Sequence, residues 1–298
     1  MTRMEEFYKD KAILVTGGSG FIGSHLTEKL VKLQAKVTIL DNFTNSTLSN
    51  LKDVLPYITI IYGDIRSLSL VRKAARNKDI IFHLAALTSV PDSILFPEFC
   101  YEINVQGTEN LLKAAVENKV YSFIFSSSAA VYGSKAGKCK ETDQLTPISP
   151  YGKSKLEGES LCKKYYQKYQ LNCAALRYFN VYGERQNPKN HYAAVVAKFK
   201  YNLLNQKPII IYGDGTQTRD FIHVSQVVDI NLKIAMFPNL KAESFNVATG
   251  KSISLLQLLK KLEKETQKKP ISLIFKPPRE GDIKHSEASC LKLKSFKI

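Results

Sequence analysis

Long apolar runs and paired cysteine motifs are both missing from this chain of 298 residues. No apolar stretch reaches the about 18 residues that a membrane span requires, and residues 1–11 are polar and charged, so we expect neither a span nor a signal peptide. The 5 cysteines are scattered, with no CxxC pair and no histidine pair nearby. This spacing disfavours a disulfide framework or a metal site, and it favours reduced thiols in a cytoplasmic protein.

Acidic side chains are scarce relative to basic ones, since 27 Asp and Glu stand against 43 Lys and Arg, for a formal net charge of +16. Such an excess occurs in proteins that bind nucleic acid, anionic membranes or acidic small molecules. Here most basic residues are lysines spread along helical patterns, without the clustering or interleaved aromatic residues of a nucleic-acid face. We therefore expect neither a nucleic acid nor a membrane as partner.

A glycine-rich turn follows the first apolar run. Residues 11–16 (KAILVT) predict a strand, and a helical pattern through Leu26 and Leu30 begins directly after residues 17–23 (GGSGFIG). Strand, glycine turn and helix are the context in which a dinucleotide is bound. Gly17 permits the sharp turn, Gly20 lets a pyrophosphate approach the backbone, and Gly23 lets the helix pack on the strand.

The second predicted strand, residues 36–40, ends in Asp41. A carboxylate at this spacing accepts hydrogen bonds from the adenosine ribose and repels a 2′-phosphate. Residues 41–50 contain no arginine that could receive such a phosphate. The predicted cofactor is therefore NAD rather than NADP.

Strands and helices then alternate. Strands are predicted at 58–62, 80–84 and 122–125, and helices at 68–76 and 103–117. This alternation predicts a doubly wound parallel Rossmann sheet of the α/β class, whose ligands bind at the carboxyl ends of the strands. Those ends carry residues 63–65 (GDI), 83–86 (HLAA) and the serines 126–128. We interpret His83 as a core residue rather than a catalyst.

Tyr151 and Lys155 open a further helical pattern, and residues four apart share one helix face. A phenol has an ordinary pKa of about 10. One positive charge about 4 Å away, at an effective dielectric of about 20, contributes roughly 4 kcal/mol, or about 3 pKa units. We therefore expect Lys155 to bring the pKa of Tyr151 near 7, where a general base is most useful. A bare Tyr-x-x-x-Lys is otherwise typical of an ordinary amphipathic helix.

Beyond the strand predicted at 172–176, glycines and prolines separate short elements. We predict an NAD-binding Rossmann domain over residues 1–180 and a smaller C-terminal α/β domain for the substrate over 181–298. The helix predicted near 224–235 is expected to return to the large sheet.

Short motifs follow one another along the chain: TGGSGFIG, Asp41, Gly63-Asp64-Ile65, HLAA, Asn104 in NVQGT, SSSAAVYG, YGKSK and RYFNVYG. In this order and spacing they resemble the extended short-chain dehydrogenase/reductase family, and within it the UDP-sugar 4-epimerases. The resemblance covers roughly residues 10–290. It implies a homodimer that associates through a four-helix contact.

The resemblance also implies roles for individual residues. Ser128, Tyr151 and Lys155 would be catalytic. The cofactor would be bound by Gly17, Gly20, Phe21, Ile22, Gly23, Asp41, Asn42, Asn45, Ser46, Asp64, Ile65, Leu84, Ala85, Ala86, Asn104, Tyr151, Lys155 and Tyr178. The UDP-sugar would be bound by Ser128, Asn180, Tyr212, Arg219, Arg279, Asp282 and Ser286. Taken alone, Arg219 beside Asp220 fits a structural ion pair equally well.

The predicted function is NAD-dependent inversion of C4 of a UDP-hexose through a 4-keto intermediate. In the family a tyrosine seven residues after the uracil-side arginine excludes an N-acetyl group, and Ser286 stands there, so N-acetylated and plain hexoses are both expected as substrates. A UDP-glucose-only enzyme stays an alternative. A uronate enzyme is less favoured, because such enzymes tend to carry Thr at Asn180 and Arg at Asn187.

Other activities of the same fold compare less well with the sequence. A dehydratase or decarboxylase requires an acid where Ala129 and Ala130 stand. A net reductase would exchange NADPH, which Asp41 disfavours. Non-enzymatic sensors and RNA-binding members of the fold usually lose the tyrosine or the lysine, and both are present here.

Overall fold

The computed structural model describes residues 2–135, 137–187, 195–278 and 284–298. The strands are β1 (Ala12–Thr16), β2 (Lys36–Asp41), β3 (Ile58–Tyr62), β4 (Ile80–His83), β5 (Ser122–Ser128), β6 (Lys138–Cys139), β7 (Cys173–Tyr178), β8 (Asn180–Tyr182), β9 (Ile209–Tyr212), β10 (Thr218–His223), β11 (Glu243–Val247), β12 (Ser252–Ser254), β13 (Leu273–Lys276) and β14 (His285–Ala288). The helices are α1 (Arg3–Tyr8), α2 (Phe21–Lys32), α3 (Leu68–Ala75), α4 (Val90–Leu95), α5 (Pro97–Tyr101), α6 (Gly107–Glu117), α7 (Pro150–Tyr169), α8 (Val195–Leu204), α9 (Val224–Ala235), α10 (Leu255–Thr266) and α11 (Leu291–Ser295).

The large sheet has seven parallel strands in the order β11-β7-β5-β4-β1-β2-β3. Thr16 pairs with Leu40 on one side and His83 on the other, and Ser128 pairs with Tyr178, so the carboxyl ends of the central strands form one edge. The central strands are nearly continuous apolar runs because helices cover both faces. The predicted doubly wound parallel sheet is confirmed.

Each face of this sheet carries its own core. On one face, Leu30 of α2 and Leu232 of α9 pack with Val15 and Ile39 of the sheet. On the other face, Val71 of α3, Leu112 of α6 and Leu161 of α7 pack with Phe123 of the sheet. Burying apolar side chains on both faces stabilises the sheet and holds its carboxyl edge in place.

The remaining strands form two smaller sheets. One has the order β12-β10-β14-β6, with β8 added to β10, and the other pairs β9 with β13. α8 and α10 pack on β9 through Phe199, Leu203 and Leu259. The chain passes between the large sheet and the smaller sheets more than once. β6, from the N-terminal half, pairs with β14, whereas α9 and β11, from the C-terminal half, pack on or pair with the large sheet. The division at residue 180 stays a prediction.

Two local features were not predicted. α1 begins with a capping box between Thr2 and Glu5, and the Tyr8 hydroxyl donates to the Leu232 carbonyl at 2.7 Å. The helix predicted from residue 103 begins instead as one π turn, Glu102–Gln106, which contains Asn104. Among the described residues, no helix is long and apolar enough to cross a membrane.

Candidate active site

The turn between β1 and α2 brings backbone atoms very close together. Gly17 has a φ of +68°, and a Cβ there would lie 2.8 Å from the Ala85 backbone nitrogen. A Cβ on Gly23 would lie 2.0 Å from the Gly17 carbonyl oxygen. Gly20 caps α2 without a side chain, and Phe21 and Ile22 form its first turn. The cradle therefore requires glycine, and it leaves the start of α2 open to a phosphate.

Asp41 lies at the end of β2 beside this turn, and its side chain is buried. One carboxylate oxygen accepts from the Ser19 amide (3.0 Å) and hydroxyl (2.6 Å). The other accepts from the Phe43 amide (2.9 Å) and the Ser46 hydroxyl (3.2 Å). The carboxylate is thus fixed beside the glycine turn, and its contact with a ribose stays a prediction. Ser19, which the sequence analysis did not select, is the residue that fixes it to the turn.

The remaining predicted adenosine residues lie along the same edge. Asn42 donates to Asp64 at 3.4 Å, and Asn45 is exposed. Partial burial raises the pKa of Asp64, but the hydrogen bonds and charge of Arg66 outweigh it and lower the pKa overall. The Ile65 side chain is held against Gly107, where a Cβ would lie 2.6 Å from its terminal methyl. These residues are brought together as predicted, while their contacts with adenine remain a prediction.

Asn104 fastens the loop after β4 to α7. Its Oδ1 accepts from the Leu87 amide (2.8 Å), and its Nδ2 donates to the Leu87 carbonyl (3.0 Å) and the Ser154 hydroxyl (2.9 Å). Its amide group therefore holds the loop after β4 in place at Leu87. Direct cofactor contact by Asn104 stays a prediction.

His83 is buried between two threonine hydroxyls. Its ring nitrogens lie 2.8 Å from the Thr16 hydroxyl and 2.8 Å from the Thr108 hydroxyl. Burial, with the charge of Lys155, lowers the pKa of His83 to about 3, so the ring is neutral. Its exclusion from the chemistry agrees with this core environment.

Ser128 ends β5 and Tyr151 is the second residue of α7, and the Ser128 side chain lies close enough to the Tyr151 phenol to lower its pKa. The helix starts there because Ser149 caps it, accepting from the Gly152 amide at 3.1 Å, and Pro150 occupies its first position. A Cβ on Gly152 would lie 2.8 Å from the Ala130 carbonyl oxygen, so α7 packs closely on the segment after Ser128. The Lys155 Nζ lies 5.9 Å from the Tyr151 ring centroid. The structure brings the three predicted catalytic residues together.

The pKa expected for Tyr151 is wrong for the ligand-free protein. Burial raises the pKa of Tyr151, and the hydrogen bond from Ser128 opposes this only in part. Burial also lowers the pKa of Lys155 to about 8. The ammonium donates to the Ser126 carbonyl at 2.8 Å rather than to the phenol. At pH 7 the site therefore holds a neutral phenol beside a protonated lysine.

Tyr178 lies across from Ser128 in the β5 and β7 pairing. Its ring belongs to the core, and its hydroxyl donates to Asn231 at 2.8 Å. Burial raises its pKa, so the phenol stays neutral. Its placement beside the nicotinamide stays a prediction.

The predicted substrate residues of the smaller sheets converge in part. Ser286 pairs directly with Arg219 across β14 and β10. Asn180 donates to the Asp220 carbonyl at 3.2 Å, and Tyr212 ends β9, its carbonyl bonded by Gln217. The Asp220 carboxylate accepts hydrogen bonds from the backbone amides of Thr249 and Gly250, both at 2.9 Å. These bonds disfavour the alternative of an ion pair between Asp220 and Arg219. Arg279 and Asp282 lie outside the described residues.

Taken together, the edge offers a proton donor and acceptor, a second hydroxyl, a buried cation and a glycine cradle beside a fixed carboxylate. Such a set can move a proton at a hydroxyl next to a bound dinucleotide. Within the described ranges, no group of three His, Cys, Asp or Glu side chains could hold a metal ion. The cradle and Asp41 fit NAD, since Gly20 leaves the start of α2 without a side chain where a diphosphate can accept from backbone amides.

Comparison with known proteins agrees with this site. The model of the NAD dependent epimerase/dehydratase family matches residues 13–248. A UDP-glucose 4-epimerase of Mycolicibacterium smegmatis is 36% identical over 278 residues, which cover 92% of this chain and 88% of that protein.

Two solved structures are similar over almost their whole length. UDP-N-acetylglucosamine 4-epimerase of Methanobrevibacter ruminantium, in complex with UDP-N-acetylmuramic acid, has a TM-score of 0.92 at 38% identity, covering 97% of this chain and 93% of that one. UDP-glucose 4-epimerase of Thermus thermophilus, in complex with NAD, has a TM-score of 0.88 at 33% identity, covering 96% and 93%. With its glycine cradle, its Asp41 and its Ser128, Tyr151 and Lys155, the chain belongs to the NAD dependent epimerase/dehydratase family and is an NAD-dependent enzyme.

Proposed function

We propose that this enzyme inverts C4 of a UDP-hexose through a 4-keto intermediate. The observation that carries the proposal is the grouping of Ser128, Tyr151 and Lys155, with the Lys155 Nζ 5.9 Å from the Tyr151 ring centroid, at the edge that also holds the glycine cradle. UDP-sugar 4-epimerases of 33% to 38% identity share the fold over nearly the whole chain, which supports the same chemistry here.

Each residue has a defined task in this proposal. Tyr151 first loses its phenol proton, which the positive charges of Lys155 and of a bound nicotinamide would favour, and the tyrosinate then takes the proton from the 4-hydroxyl. Ser128 donates to the same oxygen and shares the developing charge. Lys155 remains an ammonium at neutral pH because its pKa of about 8 lies above 7. Its charge favours the tyrosinate, the form of Tyr151 that accepts the proton.

The cofactor would be held by residues already described. The start of α2 would face its diphosphate, and Asp41 would accept from the adenosine ribose. NAD, when bound, would supply the redox chemistry, as acceptor and then donor of the C4 hydride. The chain's own contribution is to keep the diphosphate of the sugar nucleotide fixed while the hexose turns.

The sugar class is proposed to include N-acetylated hexoses. Ser286 lies opposite Arg219 in the small sheet. If Arg219 binds the diphosphate of the UDP-sugar, Ser286 would therefore lie beside the same ligand and could contact a substituent of its hexose. A hydroxymethyl side chain leaves room for an acetamido group. The similar Methanobrevibacter ruminantium structure is named as a UDP-N-acetylglucosamine 4-epimerase, which favours this choice over a UDP-glucose-only enzyme.

A homodimer is proposed from exposed apolar side chains near the start of α7. Ile94, Leu95 and Phe96 are each at least 60% exposed, and Phe99 is 43% exposed. Contiguous apolar side chains of this kind mark interfaces. Sedimentation should show a dimer that Phe96→Glu weakens, and a wild type that is monomeric at micromolar concentration would contradict this.

The proposed function is tested by incubating the purified enzyme with UDP-glucose, UDP-N-acetylglucosamine or UDP-glucuronate, without added reductant. Proton NMR distinguishes the C4 epimers, which share one mass. Inversion of the first two sugars and poor conversion of the third is expected, because Asn180 and Asn187 stand where a uronate enzyme tends to place Thr and Arg. A UDP-hexose that loses water or CO₂ instead would overturn the proposal.

A further inference from the structure

Three consecutive serines, 126 to 128, end β5, and each faces a different turn of α7. The Ser126 carbonyl accepts from Lys155, and the Ser128 side chain lies near the Tyr151 phenol. The Ser127 hydroxyl donates to Glu159 Oε1 at 2.5 Å. Because residues 151, 155 and 159 are four apart, they lie on one helix face. The Ser127 bond is therefore a second hydrogen-bonded link between strand and helix, beside that of Lys155, and the proposed chemistry does not use it.

Glu159 is a buried carboxylate, 1% exposed, with all of its bonds inside the protein. Its Oε1 accepts from Ser127 and from Arg177 Nε (2.9 Å), and its Oε2 accepts from Arg177 Nη2 (2.7 Å) and the Ser244 hydroxyl (2.9 Å). A buried charge of this kind is retained only when it is paired and hydrogen-bonded. The bidentate geometry also fixes both partners in orientation.

Arg177 extends this contact to the segment after Ser128. Its Nη1 donates to the Tyr132 hydroxyl at 2.8 Å, and Tyr132 in turn donates to Asn246 at 2.6 Å. Tyr132 closes the short helical turn that follows Ser128. The ion pair is therefore hydrogen-bonded on both sides of Ser128 in the sequence, to Ser127 and to Tyr132, and it connects both to α7 through Glu159.

We propose that Ser127, Glu159 and Arg177 form a positioning unit that sets the separation between the hydroxyls of Ser128 and Tyr151. The inference rests on the proposed function, which gives those hydroxyls their roles. A buried ion pair adds little net stability over an apolar pair of similar size. What it provides that an apolar pair does not is a fixed, bidentate geometry for both side chains. Displacing a catalytic group by about 1 Å costs on the order of 10² in rate.

Ser127→Ala removes the link and leaves the ion pair in place. Because the hydroxyls of Ser128 and Tyr151 would move apart, we expect kcat to fall about tenfold. KM for the UDP-sugar should stay within about twofold of the wild-type value. The nearby Ser128 side chain lowers the pKa of Tyr151, so moving it away should shift the rising limb of kcat to higher pH. In the ligand-free protein, amide exchange at Ala130, whose N–H donates to the Ser128 hydroxyl at 3.2 Å, should become faster.

Ser122→Ala is the matched control, because Ser122 lies on the same strand, is equally buried and has an unpartnered hydroxyl. It should leave kcat, the pH profile and the exchange unchanged, and Ser127→Thr, which keeps the hydroxyl, should restore most of kcat. A Ser127→Ala enzyme with wild-type kcat and pH profile would overturn the inference. Failure of the wild type to invert C4 would instead overturn the proposed function.

A second variant tests the ion pair itself. Glu159→Leu with Arg177→Met replaces it by apolar side chains, and the double variant is expected to unfold cooperatively but to lose at least about tenfold in kcat. The control is Arg72→Met with Glu117→Leu, which removes an exposed bidentate pair (2.6 Å and 2.9 Å) between α3 and α6. Equal kcat for both double variants would count against positioning.

Discussion

Lys155 donates a 2.8 Å hydrogen bond from its Nζ to the backbone carbonyl of Ser126, two residues before Ser128 on the same strand. The ammonium is thereby held at a fixed point below the active-site edge, and its side chain is almost entirely buried. A carbonyl dipole compensates a buried positive charge only in part. The charge therefore costs stability while serving the chemistry.

The first prediction concerns that cost. Burial lowers the pKa of Lys155 from 10.5 to about 8, so between pH 8 and 10.5 the unfolded chain binds more protons than the folded one. Stability then rises with pH in this window. From pH 8 to pH 10.5 the free energy of unfolding of the wild type, measured with urea, should rise by up to about 3 kcal/mol more than that of Lys155→Met. A difference between the two proteins that does not change with pH would contradict a buried ammonium.

The second prediction concerns the cofactor. The protein should purify with NAD, and Asp41→Arg should weaken NAD binding, because it replaces the ribose acceptor and breaks the bonds to Ser19. Calorimetric titration with NAD and NADP measures both effects. Asp41→Asn is the milder comparison, since it keeps one acceptor oxygen. Tighter binding of NADP than of NAD by the wild type would contradict the assignment of Asp41.

The third prediction concerns Ser286. Ser286→Tyr should lower kcat/KM for UDP-N-acetylglucosamine much more than for UDP-glucose, because a phenol ring would occupy the space of the acetamido group. Activity on UDP-glucose serves as the internal control for folding and cofactor binding. If the tyrosine leaves the acetylated substrate unaffected, Ser286 is not the gate.

The fourth prediction concerns Ser128. Ser128→Ala should lower kcat by about 10² to 10³, the scale of removing one donor to a developing oxyanion. The same variant loses the acceptor for the Ala130 amide, so thermal unfolding must accompany the kinetics. A kcat within about twofold of the wild type would show that Ser128 does not act on the reacting oxygen.

Periodicity and the glycine turn predict the large sheet well, because strands buried on both faces leave uninterrupted apolar runs. They also place Asp41, Ser128, Tyr151 and Lys155, which lie at the ends of elements with strong local signals. Contacts between distant elements leave no such signal. Ser127, Glu159 and Arg177 look like an ordinary serine, glutamate and arginine until β5, α7 and β7 meet.

The pairing of β6 with β14 and the return of β11 to the large sheet are likewise set by tertiary packing. The pKa of Tyr151 could not be predicted from its spacing to Lys155 for a related reason. Residues four apart share a helix face, but whether the ammonium turns to the phenol or to a carbonyl depends on the strand beneath. Here the Ser126 carbonyl is the nearer partner, and burial then raises the pKa of the phenol.

The central claim is that Tyr151 moves the proton of the 4-hydroxyl. It is tested most directly by comparing wild type and Tyr151→Phe with UDP-glucose and UDP-N-acetylglucosamine, following C4 inversion by proton NMR with NAD present and no reductant. The wild type should reach the same mixture of C4 epimers whichever of the two epimers of a UDP-sugar is supplied. Tyr151→Phe should bind NAD and the UDP-sugar but produce no inversion. Wild-type turnover by Tyr151→Phe on either sugar would contradict the account.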